Sequence, residues 1–109
     1  MKQYEVWWAA LPLPIGRRPV LLLTRNSAYA YLNKVLVAEI TTTIRGIPQE
    51  VEVGRPEGLP ASCVANFDNL HTITKTRLTK RAGALRSSRH IEVKKALGHA
   101  LSWLELTAM

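Results

Sequence analysis

A chain of 109 residues with 47% hydrophobic content can build one ordinary core, so residues 1–109 are expected to form a single domain. The single cysteine excludes an internal disulfide and indicates a reducing compartment, while the lack of a signal pattern or a membrane-length apolar run indicates a cytoplasmic protein without membrane contact. The net charge of +7 favours a polyanionic partner.

The first predicted strand spans residues 5–11, EVWWAAL. Neighbouring side chains on a strand point to opposite faces, so Trp7 and Trp8 must separate, one towards the core and the other towards a partner subunit, a ligand or water. Packing is the ordinary role for both side chains. Stacking on a nucleobase is the functional alternative for one of them.

A loop with two prolines and a glycine, residues 12–16, leads into a second strand that begins at Arg17 and Arg18. The apolar run PVLLL indicates a buried strand, and Pro19 is tolerated only at its start, where no ladder donor is required. The two guanidinium groups are therefore placed at the entry of a rigid element beside a loop. This position suits phosphate binding.

Residues 26–33 predict a turn with at most one or two helical turns, and residues 35–44 form the clearest long strand because most positions are β-branched. Residues 35, 37, 39, 41 and 43 share one face of this strand. Polarity begins on that face at Glu39, so the face is expected to leave the core there and to enter a cleft or an interface.

Three further segments complete the predicted sheet. Residues 49–53 (QEVEV) return from a turn at 45–48 as a hairpin arm with one solvated face, and residues 62–67 form a strand that Asp68 and Asn69 interrupt. Residues 71–74 then lead to the segment 75–81, for which the sequence predicts at most a short helical turn. Eight of the 15 Lys and Arg residues lie between residues 75 and 95, which is typical of a polyanion-binding surface or of a solvated basic face.

From residue 87 or 88 the apolar period changes to 3.6 residues, which predicts an amphipathic C-terminal helix. Gly98 is expected to cost this helix roughly 1 kcal/mol relative to alanine. The apolar stripe consists of Val93, Ala96, Leu97, Ala100, Leu101 and Leu104. Five or six strands followed by one helix predict a mainly β protein, a small curled sheet or barrel with the helix across it.

Polar residues at strand ends are the main candidates for chemistry. Cys63 and the three histidines lack metal-ligand spacing, so no metal site is expected, and a Cys63–His71 nucleophilic pair is weak because a cysteine in an apolar strand is usually inert. RNA cleavage without a metal needs a base, groups that stabilise charge on the phosphate, and a proton donor. The residues that carry such groups are Arg17, Arg18, Thr41, Thr43, Arg45, Asp68 and His71. Each also has a structural alternative, since threonine favours strands and Asp–Asn shapes turns.

Three blocks of the sequence resemble the MazF/PemK toxin family. EVWWAALP (5–12) with GRRPVLLLT (16–24) is similar to its opening, VLVAEITTTIRGIP (35–48) to its second block and NFDNLHTITKTRL (66–78) to its third. The blocks follow the family's order with fitting spacing, and the C-terminal helix fits as well. The resemblance therefore covers nearly the whole chain.

The resemblance implies an SH3-like barrel that forms a homodimer and acts as the toxin of a bacterial toxin–antitoxin pair. Such toxins are sequence-selective endoribonucleases that cleave single-stranded RNA, need no metal or other cofactor, and leave a 2′,3′-cyclic phosphate and a 5′-hydroxyl. An acidic antitoxin would occupy the basic cleft, and operator DNA would be bound only through the antitoxin.

The family's catalytic arginine falls on Arg18, its threonine on Thr41, and an acidic residue used by some members on Asp68. Some members have an arginine two residues before that acid, where this chain has Asn66, so the general acid stays open and Arg18 is one candidate. The resemblance also implies an RNA-binding groove, whose residues are expected to be Gly16, Arg17, Thr43, Arg45, Asn69 and His71.

Two other functions stay open. CcdB-like toxins share the fold and jam DNA gyrase without catalysis, through an aromatic side chain near a free C-terminal tip. Trp103 is expected inside a helix here, which disfavours that function. A basic barrel that only binds nucleic acid is the third possibility.

Overall fold

The computed structural model describes residues 1–109 as one antiparallel sheet of six strands followed by two helices. The spatial order of the strands is β4-β5-β3-β2-β1-β6. The elements are β1 (Glu5–Ala10), β2 (Arg17–Leu22), β3 (Lys34–Thr41), β4 (Glu50–Val53), β5 (Cys63–Thr74), β6 (Leu78–Ala84), α1 (His90–Leu101) and α2 (Leu104–Thr107). The predicted mainly β architecture with a C-terminal helix is confirmed. Neither helix has the length and apolarity that a membrane span requires.

The curled sheet buries apolar side chains on both faces. On one face, α1 covers β4 and β5 and encloses the larger core, in which Phe67 and Leu21 are among the largest fully buried side chains. The second, smaller core lies on the opposite face and contains Ala9, Leu11, Val20, Leu22, Val35, Val37, Ile73 and Leu78. Side chains alternate between faces along a strand, which is why consecutive residues of β2 and β3 enter different cores.

A glycine contact brings the two edges of the sheet together. The 3₁₀ turn Arg55–Glu57, which follows β4, contacts β6 at the other edge. Gly58 has a positive φ of 86°, and a Cβ at Gly58 would collide with the backbone carbonyl of Ala82. A Cβ at Gly83 would likewise collide with the backbone carbonyl of Glu57. The absence of side chains at these two glycines therefore lets the turn lie directly on β6.

The strand pairing differs from the sequence-based prediction at two places. Segment 75–81 was predicted to hold no strand, but after a 3₁₀ turn at Lys75–Arg77 it enters β6, which pairs with β1. The exposed side chains of Thr79, Lys80 and Arg81 conceal the strand pattern in the sequence. The predicted hairpin of residues 49–53 with the long strand is also wrong, because β4 pairs with β5 instead.

The end of the chain is two helices rather than one. Ser102 has a positive φ of 53° and ends α1, so α2 folds back against it. Val93 and Ala96 are buried as predicted, but Leu101 and Leu104 are exposed to 57% and 74% because they lie beyond the contact with the sheet. The expectation that Trp103 lies inside a helix is wrong, since it occupies the corner between the helices and is half exposed.

Candidate active site

Neighbouring strand ends bring Arg18 and Thr41 to one cavity. Val20 of β2 pairs with Glu39 of β3, and the strands are antiparallel, so the residue two positions before Val20 lies near the residue two positions after Glu39. The cavity has a volume of about 220 Å³ and is lined by Arg18, Glu39, Thr41, Thr43, Arg45, Asn66 and Asn69. Five of these seven residues are candidates from the sequence. Glu39 and Asn66 had no predicted role in the site.

Glu39 is the acidic residue of this cavity and is 7% exposed. Its Oε1 accepts a hydrogen bond from Nη1 of Arg18, and its Oε2 lies 2.9 Å from Nε2 of His71. A buried carboxylate is retained where charged or polar partners compensate for its lost hydration, and here two neighbouring strands supply them. The turn to polarity at Glu39 on the β3 face was the sequence signal for this residue. Its two partners depend on the register of β2 and β5 against β3.

A bulge in β5 shapes the opposite wall of the cavity. Ala38 pairs with Leu70 whereas its neighbour Glu39 pairs with Asn66, so residues 67–69 are extra on the β5 side. Asn66 is 4% exposed, and its Oδ1 accepts a hydrogen bond of 2.8 Å from the backbone N–H of Asp68. The bulge directs Asn69 to the cavity. Asp68 is exposed and does not line it.

The contacts of the Thr41 hydroxyl define its roles as hydrogen-bond acceptor and donor. Its Oγ1 accepts a hydrogen bond of 3.1 Å from the backbone N–H of Thr43. A hydroxyl has one hydrogen to donate, so this contact leaves the O–H of Thr41 free to donate to a ligand in the cavity. Gly46 in the following turn has a positive φ of 69°, and the carboxylate of Glu50 accepts its backbone N–H at 2.9 Å, which holds the loop that carries Arg45.

A second cavity, of about 250 Å³, adjoins the first and shares Arg18 and Thr41 with it. Trp8 and Arg17 line this cavity, and the guanidinium carbon of Arg17 lies 4.3 Å from the centroid of the Trp8 ring, a cation–π contact. Trp8 also packs against the larger core, while Trp7 packs against the smaller core and donates to Glu5 at 3.0 Å. Both tryptophans therefore pack, and Trp8 additionally faces a cavity.

The remaining sequence candidates lie around these cavities. Gly16 has a positive φ of 70° in the turn before β2, where a Cβ would meet no atom within 4 Å, and it is not a lining residue. His71 contacts the site through Glu39. Cys63 is 6% exposed and donates to the carbonyl of Ala61, and burial raises the pKa of its thiol, which disfavours the nucleophilic pair with His71. No cluster of three or more His, Cys, Asp or Glu side chains is arranged to hold a metal ion.

The largest cavity is elsewhere. It measures about 840 Å³ and lies between the end of β4 and the start of α1. Three of its charged side chains are paired with one another, because Arg89 bonds to Glu92 at 2.8 Å and lies 3.6 Å from Glu57. The smaller cavity at Arg18 combines a guanidinium, free hydroxyls and amides, which are groups that bind a phosphodiester. We therefore assign the candidate active site to the cavity at Arg18 and Thr41 because of its side-chain chemistry, although it is not the largest cavity.

Residues 2–101 match the family described as "PemK-like, MazF-like toxin of type II toxin-antitoxin system". The chain belongs to this toxin family. The resemblance noted from the three sequence blocks is thereby confirmed. Among its relatives, the probable endoribonuclease MazF2 of Mycobacterium tuberculosis is 40% identical over 90 residues, which are 82% of this chain and 86% of the relative. The endoribonuclease MazF3 of the same species is 40% identical over 89 residues, 80% of this chain and 86% of the relative.

Solved structures of MazF toxins share the fold. Mycobacterium tuberculosis toxin MazF-mt6 aligns with a TM-score of 0.84 at 37% identity, covering 90% of this chain and 96% of that one. An endoribonuclease in complex with its cognate antitoxin, from a mycobacterial species, aligns with a TM-score of 0.81 at 27% identity, covering 94% and 96%. The architecture of this family member is therefore that of the MazF toxins.

Proposed function

We propose that this toxin is an endoribonuclease that cleaves single-stranded RNA at selected sequences, without a metal ion or other cofactor. The main observation in support is that Arg18 and Thr41, which belong to different strands, line the same open cavity. The endoribonuclease names of the relatives at 40% identity support the same activity. Residues 1–109 act as one toxin domain in the bacterial cytoplasm.

The proposed reaction is attack of the 2′-hydroxyl oxygen on the adjacent phosphorus. A new bond forms between the 2′ oxygen and phosphorus, the bond to the 5′ oxygen breaks, and the products carry a 2′,3′-cyclic phosphate and a 5′-hydroxyl. The planar guanidinium of Arg18 stabilises the charge on the phosphate oxygens through two parallel donors, and it is a candidate proton donor to the leaving oxygen. The free O–H of Thr41 donates to the scissile group.

The path of the RNA follows from the two adjoining cavities. With the scissile phosphate at Arg18 and Thr41, the neighbouring nucleotide enters the cavity of Trp8 and Arg17, where an aromatic ring and a guanidinium plane accept a splayed base by stacking. On the other side, Thr43, Arg45 and Asn69 line the route of the backbone. Gly16 and His71 flank these contacts without lining either cavity.

The proposed partners are a second copy of the chain and an acidic antitoxin. A net charge of +7 favours an acidic segment that occupies the RNA cleft and thereby inhibits the toxin. A structural neighbour at 27% identity was solved with its cognate antitoxin, which supports this partner. Binding to operator DNA would take place only through the antitoxin.

The test is incubation of the purified protein with a long RNA in excess EDTA, followed by mapping of new 5′ ends. We expect discrete cuts that share a sequence motif and carry 5′-hydroxyls. Arg18→Ala and Thr41→Ala should lower the cleavage rate by at least about 10²-fold, the usual effect of removing one group that stabilises transition-state charge. Arg18→Lys is the matched variant, because it keeps the charge but loses the two-donor fork. Wild-type cleavage by well-folded Arg18→Ala would refute the catalytic assignment.

A gyrase assay tests the second candidate function. Trp103 is half exposed at the corner between α1 and α2, so its aromatic ring is accessible to a protein partner, as a CcdB-like gyrase poison requires. If the protein inhibits supercoiling by DNA gyrase and leaves RNA intact, that function replaces the endoribonuclease. If it binds RNA without cutting it and leaves gyrase unaffected, it is a nucleic-acid-binding barrel.

A further inference from the structure

We infer that Glu39 is the general base of the RNA cleavage reaction, an inference that rests on the proposed endoribonuclease function. Its carboxylate lines the same cavity as Arg18 and Thr41, whereas Asp68, the acidic candidate from the sequence, is exposed and lies outside it. A base must lie within hydrogen-bond reach of the proton that it removes. Glu39 is the acidic side chain among the seven that line the cavity.

The contacts of Glu39 leave hydrogen-bond acceptor sites free on its carboxylate. An ionised carboxylate has about four lone-pair sites on its two oxygens. Arg18 uses one site on Oε1, and His71, with its proton on Nε2, uses one on Oε2. Each oxygen therefore keeps a site that can accept the 2′-hydroxyl. The two contacts also hold the carboxylate in a fixed orientation, as positioned proton transfer requires.

The proton balance of the step is simple. Glu39 takes the proton of the 2′-hydroxyl as the 2′ oxygen bonds to phosphorus, and the 5′ oxygen leaves with the electron pair of its bond to phosphorus. The 5′ oxygen takes one proton from Arg18, the candidate donor, which regains it from water, and Glu39 later releases its own proton to water, so that the reaction consumes no net proton. Arg18 contacts both the base and the site of the phosphate, which brings the attacking oxygen and the phosphorus together.

The test separates a base from a residue that only orients Arg18. It uses an RNA oligonucleotide that spans one mapped cut, and the same oligonucleotide with a 2′-deoxy sugar at the attacking position, which can bind but cannot react. Glu39→Gln keeps the size of the side chain but cannot accept the proton as a carboxylate. We expect single-turnover cleavage to fall by about 10²- to 10⁴-fold, the usual contribution of general base catalysis.

Binding of the RNA is not expected to weaken when cleavage is lost. Glu39→Gln removes a negative charge beside the phosphate, so the 2′-deoxy RNA should bind equally or more tightly. Glu105→Gln is the control, because it removes one negative charge at an exposed position on α2 and should leave both cleavage and binding within about twofold of wild type. A parallel loss of binding and cleavage in Glu39→Gln would show that the residue positions Arg18 and would overturn its role as base.

Two further variants extend the test, and the first of them serves even if Glu39→Gln proves unstable in a thermal melt. Glu39→Asp keeps the charge but withdraws the carboxylate by one methylene, and a displacement of about 1 Å can cost about 10²-fold in rate. Cleavage by Glu39→Asp at the wild-type rate would overturn the inference. So would a 10²-fold loss in Asp68→Asn together with wild-type cleavage by folded Glu39→Gln. A wild-type protein that cleaves no RNA would defeat the endoribonuclease proposal and this inference with it.

Discussion

The contact between the turn at Gly58 and strand β6 makes a quantitative prediction about stability. Gly58 combines a positive φ of 86° with a backbone carbonyl in the place where a Cβ would be. Two other glycines each show only one of these effects, so substitutions there measure the effects separately. Gly46 has a positive φ of 69° with nothing within 4 Å, and Gly83 faces a backbone carbonyl without a positive φ.

The expected magnitudes follow from these geometries. A left-handed backbone costs an L-residue about 1–2 kcal/mol, partly offset by the lower entropy of the unfolded chain, so Gly46→Ala should lower the free energy of unfolding by about 1 kcal/mol or less. Gly83→Ala must push the turn off β6, which is typical of overpacking at about 1–3 kcal/mol. Gly58→Ala suffers both effects, and we expect a loss of about 2–5 kcal/mol.

Urea denaturation monitored by tryptophan fluorescence measures all three variants, with unchanged m-values as the sign that the native state stays compact. The corresponding fall in Tm is about 4–8 °C per kcal/mol for a domain near 100 residues. If Gly58→Ala is no less stable than Gly46→Ala, the turn does not lie on β6 in the way described. The closure of the sheet would then need another explanation.

Three more predictions concern the remainder of the fold. Gly98→Ala should destabilise the protein although alanine favours helices, because the new Cβ would lie 2.7 Å from the Cβ of Leu106; a higher Tm would contradict the packing of α2 on α1. Burial raises the pKa of Glu5, but hydrogen bonds from Trp7, Arg81 and Lys2 outweigh it and leave the pKa below the ordinary 4.5. The stabilisation from Glu5 should therefore be complete at pH 7 and be lost as the pH falls below 4.5 and through the lowered pKa. Urea titrations should show Glu5→Gln less stable than wild type at pH 7, by about 1–3 kcal/mol, with a difference that shrinks as the pH is lowered below 4.5. The thiol of Cys63 should react with a disulfide reagent much more slowly in the native protein than in denaturant, since the side chain is buried and burial raises its pKa.

Local patterns in the sequence were sufficient for much of the architecture. Apolar and β-branched runs identified β1, β2 and β3, and the 3.6-residue period identified α1, because these signals depend on neighbours within one element. Pro19 at the entry of β2 placed two arginines at a strand end for the same local reason. β6 was not predicted, because the exposed Lys80 and Arg81 give it no apolar strand pattern. Its formation depends on pairing with β1, which is a long-range contact.

The sequence could not predict which polar side chains contact one another across neighbouring strands. The residue types at Arg18, Thr41 and Glu39 are legible in the chain, and the polar turn of the β3 face at Glu39 pointed to a cleft. Register decided the rest: pairing of Val20 with Glu39 and a bulge opposite Ala38 brought Arg18, Glu39 and His71 into contact and left Asp68 outside. A shift of one residue reverses the face of every side chain on a strand, so only the folded sheet determines which polar groups meet.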